Sequence, residues 1–348
     1  MEKSKIKFER QNILVIGGAG FLGSQLCEYL LEKNNVICVD DYSCGKESNI
    51  DRLLSHQNFE FVRHDITEAL DFKNFPGVEK FRMAFIGVHQ VYYLADFHSP
   101  RYALASPLET LILATAGTKN AMDIAAAYSA KCIFISDADV YGEVAGDPMK
   151  VHEDAVGTLD YLSLVNYHGH AKRIGESIAM LYQKQKKVRV SIARLYTTYG
   201  PHMHLDDGRL IPDMVARALA GKEIVLTPGM GAATFLYVTD AIDALEKVMA
   251  AEMLGIFNIG NPTQYSVQEA AERIVKFCGS RSPIVRREAN AEEVLTYRAW
   301  EQSCRIANID TLRDATGWFP VVLLDEGLRK TIDYMKSLRA IRGVFEKE

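Results

Sequence analysis

Three glycines near the start of the chain have the spacing of a phosphate-binding turn. Gly17, Gly20 and Gly23 follow a short apolar run. An amphipathic stretch begins between the second and third of these glycines, at Phe21 and Leu22. Glycines between a strand and a helix allow a tight turn and close approach of the backbone, so a pyrophosphate can lie against the N–H groups of the helix N-terminus. The pattern predicts that these five residues bind a dinucleotide.

An acidic residue stands where such a site needs a partner for the ribose. Asp40 ends the next apolar run, seventeen residues after Gly23, and its carboxylate can accept hydrogen bonds from ribose hydroxyls. A carboxylate would repel a 2′-phosphate, and residues 41–44 include no arginine to bind one. We therefore expect NAD rather than NADP as the cofactor, with Asp65 and Ile66 beside the adenine.

Short β-branched runs alternate with longer helical patterns, which is typical of parallel strands joined by crossover helices. The strands are predicted at 12–16, 36–40, 59–64, 90–94, 131–136 and 188–194, and the helices at 21–32, 107–128 and 167–184. This order favours an α/β fold built on a doubly wound parallel sheet of the Rossmann type.

The rhythm changes after Gly200-Pro201, where the elements become shorter and the loops more polar. Residues 235–238 are predicted to add one strand to the sheet, followed by a helix that Thr239-Asp240 caps. We interpret residues 1–200 plus 234–260 as the NAD-binding domain. Residues 201–233 plus 261–348 would form a smaller, discontinuous substrate-binding lobe.

Composition excludes several classes of protein. The 348 residues include 40 Lys and Arg against 45 Asp and Glu, a formal charge of −5, and no basic stripe indicates nucleic-acid binding. No apolar run approaches the roughly 20 residues of a membrane span. The first residues lack the apolar core of a signal peptide, so we expect a cytoplasmic protein without a membrane partner.

Further motifs, in their order, resemble those of one enzyme family. They include Tyr93-Leu94-Ala95, Asp139-Val140-Tyr141-Gly142, Lys172-Arg173, Asp207-Gly208-Arg209 and Gly317-Trp318-Phe319-Pro320. The chain resembles the extended short-chain dehydrogenases/reductases, and is most similar among them to UDP-glucuronate decarboxylases. The resemblance implies bound NAD in contact with Leu94 and Ala95, a nucleotide-sugar substrate, and a homodimer formed through paired helices.

The resemblance also implies a catalytic Tyr four residues before a Lys, assisted by a Thr or Ser ahead of the Val-Tyr-Gly turn. Lys172 is present, but the Tyr position holds His168, and the decarboxylase Thr-Ser-Glu corresponds to Asp137-Ala138-Asp139. Tyr167 is adjacent, yet at about 100° per residue it lies about 140° from the Lys172 face, so it could act only through a helix bulge. We take His168, Lys172, Asp137, Asp139 and Tyr167 as the candidate catalytic residues, and Lys172 also as a cofactor contact.

These departures have two open interpretations. In the first, His168 and Asp137 form an acid/base pair in which Asp137 raises the pKa of the imidazole and Lys172 lowers it, leaving a base poised near neutral pH. In the second, the changes mark a catalytically silent NAD-binding protein.

The substrate side also departs from the family pattern. By the same resemblance, Ala233 takes the position of an Arg that contacts the nucleotide diphosphate, and Thr197 takes that of an Asn. Arg209 and Arg305 are retained, and with His98 and Thr197 they are the predicted substrate-binding residues. The missing Arg leaves a third interpretation open, an enzyme of this type with a smaller or differently activated substrate.

Several histidines fall in segments where the family binds its sugar, with two aspartates nearby in the predicted fold. Their spacing matches no familiar metal-binding motif, so no metal site is predicted. The residues are His98, His168, His170, His202, His204, Asp96 and Asp137.

Overall fold

The computed structural model describes residues 10–97, 105–143, 150–163, 166–205, 208–228, 230–288 and 306–345. Its centre is a seven-stranded parallel sheet. In chain order, the strands are β1 Asn12–Ile16, β2 Asn35–Asp40, β3 Phe59–Arg63, β4 Gln90–Tyr93, β5 Lys131–Asp137, β6 Arg189–Leu195 and β7 Ile256–Ile259. The order across the sheet is β7-β6-β5-β4-β1-β2-β3. The predicted doubly wound α/β fold is therefore confirmed, because the chain winds outward from β1 in both directions.

Helices cover both faces of the sheet, as β1 illustrates. Ile13 and Val15 belong to the cluster with helix Phe21–Leu31, while Leu14 and Ile16 belong to the cluster with helix Thr118–Tyr128. Alternate side chains of one strand point to opposite faces, so an apolar run without alternation marks a strand buried on both sides.

The remaining elements surround this sheet. The other α-helices are Asp51–Leu54, Met83–Ile86, Pro107–Ile112, Tyr167–Lys186, Leu210–Leu219, Val238–Ala250, Val267–Cys278, Asp310–Thr316 and Leu324–Phe345, and the short 3-10 helices are Glu47–Asn49, Phe72–Asn74, Pro76–Phe81 and Ala138–Tyr141. Four two-stranded sheets pair Thr198–Tyr199 with Leu236–Tyr237, Ile224–Leu226 with Ile284–Arg286, Ala232–Thr234 with Gln264–Ser266, and Lys150–Val151 with Ile306–Ala307.

Two predictions around residue 235 are wrong. Leu236–Tyr237 pairs with Thr198–Tyr199 outside the main sheet, and the seventh strand is Ile256–Ile259. The helix begins at Val238 with Tyr237 as its N-cap. Asp240 lies in the first turn and accepts hydrogen bonds from the amides of Val321 and Val322, at 3.1 and 2.9 Å. It therefore fastens a distant segment instead of capping its own helix.

The predicted helix 107–128 is interrupted by a π turn. An α-helix at Pro107–Ile112 passes into a π-helix at Leu113–Gly117 and then into the α-helix Thr118–Tyr128. The carbonyl of Leu113 accepts a hydrogen bond from the Tyr93 hydroxyl at 3.0 Å, and such turns are frequent at functional sites.

The C-terminal elements share a core with the sheet. One apolar cluster runs from Ile13 and Val15 in β1 to Leu328, Ile332 and Met335 in helix Leu324–Phe345. The division into residues 1–200 plus 234–260 and 201–233 plus 261–348 stays a prediction. Among the helices that the structure describes, none is long and apolar enough to cross a membrane.

Candidate active site

The glycine turn lies where the sheet reverses its winding, between β1 and β4. Gly17 has φ +83°, a conformation that favours glycine, and a Cβ on it would lie 2.7 Å from the amide nitrogen of Ala95. A Cβ on Gly23 would collide with the carbonyl of Gly17. Both glycines are therefore required for the helix Phe21–Leu31 to pack this closely, which leaves its N-terminus open to an anion.

Two adjoining pockets follow this carboxyl edge of the sheet. The first, which we call the Asp40 pocket, is lined by residues that include Gly17, Gly20, Asp40, Asp65, Ile66, Leu94, Ala95 and Asp96. The second, the Lys172 pocket, is lined by residues that include Gly17, Gly20, Phe21, Leu22, Gly23, Leu94, Asp96, Ser136, Asp137, Lys172, Tyr196, Thr198, His204 and Arg209. The predicted cofactor-binding residues all lie on these walls.

The pockets fit an extended dinucleotide. The glycine turn borders both of them, as a central pyrophosphate requires. In the Lys172 pocket, the hydroxyl of Ser136 is buried and has no hydrogen-bond partner in the described part of the chain. Since buried hydroxyls are nearly always paired, this one is a ready contact for a bound group.

Asp40 holds the turn as well as facing the pocket. Its Oδ2 accepts from the amide of Ala19 at 2.9 Å and its Oδ1 from the amide of Tyr42 at 2.8 Å. Burial raises the pKa of Asp40, and these amide bonds partly oppose the rise. Each carboxylate oxygen has a second lone pair, so ribose hydroxyls can still be accepted.

We expect Asp40→Ala to weaken NAD binding far more than NADP binding, because the ribose acceptor is lost while the repulsion of a 2′-phosphate is relieved. Calorimetric titration with both dinucleotides measures this. Asp71→Ala is the matched control: Asp71 also accepts an amide two residues on, from Lys73 at 3.0 Å, but it is exposed. An unmodified protein that prefers NADP would contradict this role of Asp40.

His168 and Lys172 lie one turn apart on helix Tyr167–Lys186, where both are buried. The Nδ1 atom of His168 is 3.1 Å from Asp139 Oδ2 and 3.4 Å from Asp137 Oδ2, and its Nε2 atom is 3.0 Å from Asp96 Oδ2. The structure thus brings His168 and Asp137 together, as the predicted acid/base pair requires. It also adds Asp96, which the sequence indicated only as a neighbour.

These carboxylates control the charge of His168. Burial alone would lower the pKa of the imidazole, but the charges of Asp96 and Asp137 and the hydrogen bonds with Asp139 and Asp96 outweigh it and raise that pKa well above 6.5. Three carboxylates face the ring where the sequence analysis expected one, and the expectation of a base poised near neutral pH stays a prediction.

Lys172 is held by Asp96 and by a strand carbonyl. Its Nζ is 2.9 Å from Asp96 Oδ2 and donates to the carbonyl of Ile135 at 3.1 Å. Burial would lower the pKa of Lys172, but the charges of Asp96 and Asp137 raise it above its usual value. The ammonium group stays charged at the wall of the Lys172 pocket.

Tyr167 lacks the setting of a base. The helix Tyr167–Lys186 is α-helical throughout and shows no bulge. Burial raises the pKa of the Tyr167 phenol, and the charge of Asp96 raises it further. The phenol therefore keeps its proton, and the bulge on which its participation depended is not observed.

Three of these groups could face a single cation. Ligand atoms of Asp96, Asp137 and His168 lie within 4.8 Å of one another. The ammonium group of Lys172 contacts Asp96 within the same space, so the described cluster already carries one cation of the protein beside these carboxylates.

The predicted substrate residues are placed unequally. Arg209 lines the Lys172 pocket, with its guanidinium 5.4 Å from the centre of the Phe21 ring. Thr197 is not among the residues that line it; the neighbours Tyr196 and Thr198 are, and the carbonyl of Thr197 instead accepts from Leu236 at 2.9 Å. His98 and Arg305 lie outside the described residues.

The sequence analysis placed His204 in a segment where the family binds its sugar but did not include it among the predicted substrate-binding residues. His204 is buried and lines the Lys172 pocket with Arg209. The nearby His202 is different. Burial and the charge of Arg52 together lower its pKa to about 4, and its ring stacks on that of Tyr334. His202 therefore fastens the loop that carries His204.

The fold and the two pockets define a dinucleotide-binding protein of the doubly wound class. A sequence model of the family described as "NAD dependent epimerase/dehydratase family" matches residues 13–260. The chain belongs to this family, and it is accordingly an NAD-dependent enzyme of the short-chain dehydrogenase/reductase type.

Relatives and solved structures agree with this assignment. UDP-glucuronic acid decarboxylase 6 of Arabidopsis thaliana is 32% identical over 331 residues, which cover 94% of this chain and 90% of the relative. UDP-glucuronic acid decarboxylase 1 of Xenopus tropicalis is also 32% identical, covering 94% and 73%. The UDP-glucuronic acid 4-epimerase of Bacillus cereus, in complex with UDP-glucuronic acid and NAD, has the same fold, with a TM-score of 0.79, 23% identity and coverage of 94% and 100%.

Proposed function

We propose that the protein oxidises a hydroxyl of a nucleotide-linked sugar with tightly bound NAD, as a step of decarboxylation, epimerisation or dehydration. His168 and Asp137 stand in place of the Tyr and Thr that the resemblance implies. The observation that carries the proposal is the cluster of buried His168, Lys172 and Asp137 with the half-buried Asp139 at the carboxyl edge of the sheet, beside the glycine turn. Relatives named UDP-glucuronic acid decarboxylases support the nucleotide sugar.

When bound, NAD supplies the hydride acceptor. The chain supplies the positions: Gly17, Gly20 and Gly23 would hold the pyrophosphate, Asp40 the adenosine ribose, and Lys172 the ribose at the other end of the cofactor. His168 would store the proton that leaves the sugar hydroxyl, stabilised by the facing carboxylates.

A panel assay tests the proposal. Purified protein is incubated with nucleotide sugars, including UDP-glucuronic acid, while NADH absorbance and product mass are followed. With at least one sugar we expect a product: decarboxylation or dehydration changes its mass, and epimerisation gives an isomer of the same mass that chromatography separates from the substrate. No turnover and no reduction of NAD with any of them would contradict the proposed activity.

Arg209 is the phosphate-binding cation that the described pocket offers. Its guanidinium can pair with a diphosphate, and Arg305 is predicted to provide a second cation. Ala233, in contrast, is buried in a strand and provides none.

We expect UDP alone to raise the unfolding temperature, since a ligand stabilises the state that binds it. Arg209→Ala should reduce the rise in unfolding temperature, and Arg305→Ala should abolish it. Differential scanning fluorimetry measures the effect, with Arg313→Ala as a matched control because Arg313 is on the surface and lines neither pocket. No rise with any nucleoside diphosphate would favour a smaller or differently activated substrate.

One observation favours the alternative of a catalytically silent NAD-binding protein. Both ring nitrogens of His168 face carboxylates. In these contacts neither nitrogen faces the Lys172 pocket. The panel assay separates the alternatives, because a silent protein binds NAD without turning over a sugar.

We also propose that two copies of the chain pair through their long helices. Leu108, Ile112 and Leu181 are 63%, 45% and 50% exposed on helices Pro107–Ile112 and Tyr167–Lys186, and these helices pack against each other. A second copy that presents the same apolar face would cover them.

A further inference from the structure

Asp96 occupies the central position of the charged cluster. It follows β4, and its Oδ2 atom lies 3.0 Å from Nε2 of His168 and 2.9 Å from Nζ of Lys172. Asp96 also lines both the Asp40 pocket and the Lys172 pocket. One carboxylate therefore joins the two candidate catalytic side chains to the space where cofactor and substrate would meet.

His168 itself lies behind carboxylates. Its Nδ1 faces Asp139 and Asp137, and its Nε2 faces Asp96. Asp96 and Asp137 are on the wall of the Lys172 pocket, while His168 lines neither of the two described pockets. A substrate hydroxyl that enters the pocket would meet a carboxylate before it met the imidazole.

Of the two carboxylates on the wall, Asp96 is better placed to exchange a proton with His168. Asp137 uses Oδ1 to accept the amide of Asp139 at 2.8 Å, which caps the short helix Ala138–Tyr141, and its Oδ2 is 3.4 Å from Nδ1. The 3.0 Å contact of Asp96 with Nε2 is shorter and is within hydrogen-bonding distance.

We propose that Asp96 is a catalytic residue that relays the proton between the substrate hydroxyl and Nε2 of His168; this rests on the proposed function. During oxidation the O–H bond breaks, and its proton moves to the carboxylate of Asp96. Asp96 then gives a proton to neutral His168, so the carboxylate is ionised again and the ring becomes an imidazolium. The carbon of the alcohol is oxidised, and its hydride passes to bound NAD.

The charges around the ring support this direction of transfer. Asp96, Asp137 and Asp139 face His168, with Lys172 one turn along its own helix and the phenol of Tyr167 beside it in sequence. The three carboxylates stabilise the imidazolium and so raise the pKa of His168. The neutral ring is therefore a stronger base than a free imidazole, which favours transfer of the proton through Asp96, and the protonated ring is the matching acid for the reverse step.

Two variants of Asp96 test the relay. Asp96→Asn removes the proton-carrying charge at nearly constant shape, and we expect turnover to fall by about 10² or more while NAD binding, measured by calorimetry, is kept. Asp96→Ala should be equally slow and should be rescued by added formate, because a free carboxylate can enter the vacated space. Asp160→Asn is the control, because Asp160 is exposed, its side chain accepts only the amide of Leu162 among the described residues, and it lines neither pocket.

A measurement that needs no turnover accompanies them. The ring of His168 is titrated by NMR, and its pKa should fall in Asp96→Asn because one facing negative charge is lost; the ascending limb of the pH–rate profile should move to lower pH with it. Thermal unfolding shows whether each variant is folded, and the two variants replace each other if one of them is not.

The outcomes separate the relay from the proposed function. Wild-type protein that turns over no nucleotide sugar contradicts the proposed function. An Asp96→Asn variant as fast as the wild type, or an Asp96→Ala variant that formate does not rescue, contradicts the relay alone. An unchanged pKa of His168 in Asp96→Asn contradicts the pairing itself.

Discussion

His168→Phe should lower turnover by about 10² or more, the range expected when a positioned acid or base is removed. The ring stores the proton of the sugar hydroxyl in the proposed mechanism, and phenylalanine cannot. Asp137→Ala should cost a similar factor, because Asp137 helps hold the imidazolium at 3.4 Å. The double variant should be little slower than His168→Phe, since the two residues act as one unit. Steady-state kinetics on the sugar that the panel identifies measures all three.

Tyr167→Phe provides the contrast, because it removes a hydroxyl from the same helix and should keep most of the activity. If Tyr167→Phe were inactive while His168→Phe worked, the helix would have to bulge in the complex and the ordinary Tyr and Lys chemistry would operate. Asp137→Asn should accompany Asp137→Ala, since it keeps an oxygen that can cap the helix Ala138–Tyr141.

Glu176→Ala should destabilise the fold by about 3–5 kcal/mol, because it leaves a buried arginine without its counter-charge. Arg194 reaches both oxygens of Glu176, at 2.9 and 2.7 Å, and both residues are 8% exposed. Arg194 also donates to the carbonyl of Glu153 and lies over the ring of Tyr141. Urea unfolding measures the change in the free energy of unfolding.

Glu326→Ala is the matched control. Glu326 pairs with Lys330 one turn along the helix, and both side chains are 54% exposed, so its loss should cost less than about 1 kcal/mol. Equal effects of Glu176→Ala and Glu326→Ala on the free energy of unfolding would mean that burial of the pair of Arg194 and Glu176 does not make it more important for stability than an exposed pair.

The central strands could be predicted because their sequences carry the signal of burial on both faces. The strand at Ile256–Ile259 was missed because it is only four residues long and lies between glycines. Residues 235–238 show the opposite error. Their apolar run resembles a strand of the sheet, yet only Leu236–Tyr237 extends, and Val238 already begins a helix.

The interrupted helix shows a limit of periodicity. If residues 107–128 are treated as one regular α-helix, their apolar residues extend beyond one face. Part of this spread follows from the π turn at Leu113–Gly117, which shifts the phase of the residues after it. Sequence periodicity does not reveal such a shift. The contact that accompanies it, between the Tyr93 hydroxyl and the Leu113 carbonyl, joins residues that are 20 positions apart.

The site was partly predictable for a related reason. His168 and Lys172 are four residues apart on one helix, so helical geometry places them together. Asp96 is 72 residues from His168, and no local pattern joins them. A usable signal did exist: Asp96 and Asp137 stand at or just after the ends of β4 and β5, and parallel strands in a sheet end at the same edge.

The π turn also bears on how related chains are compared. A π turn holds one residue more than the α-helical turn that it replaces, so it is equivalent to a single-residue insertion inside an otherwise continuous helix. A relative with a regular helix at Leu113–Gly117 would be one residue shorter there, although every flanking strand kept its length. Alignments that forbid gaps within helices would then shift helix Thr118–Tyr128 by one position and pair its inward-facing residues with outward-facing ones.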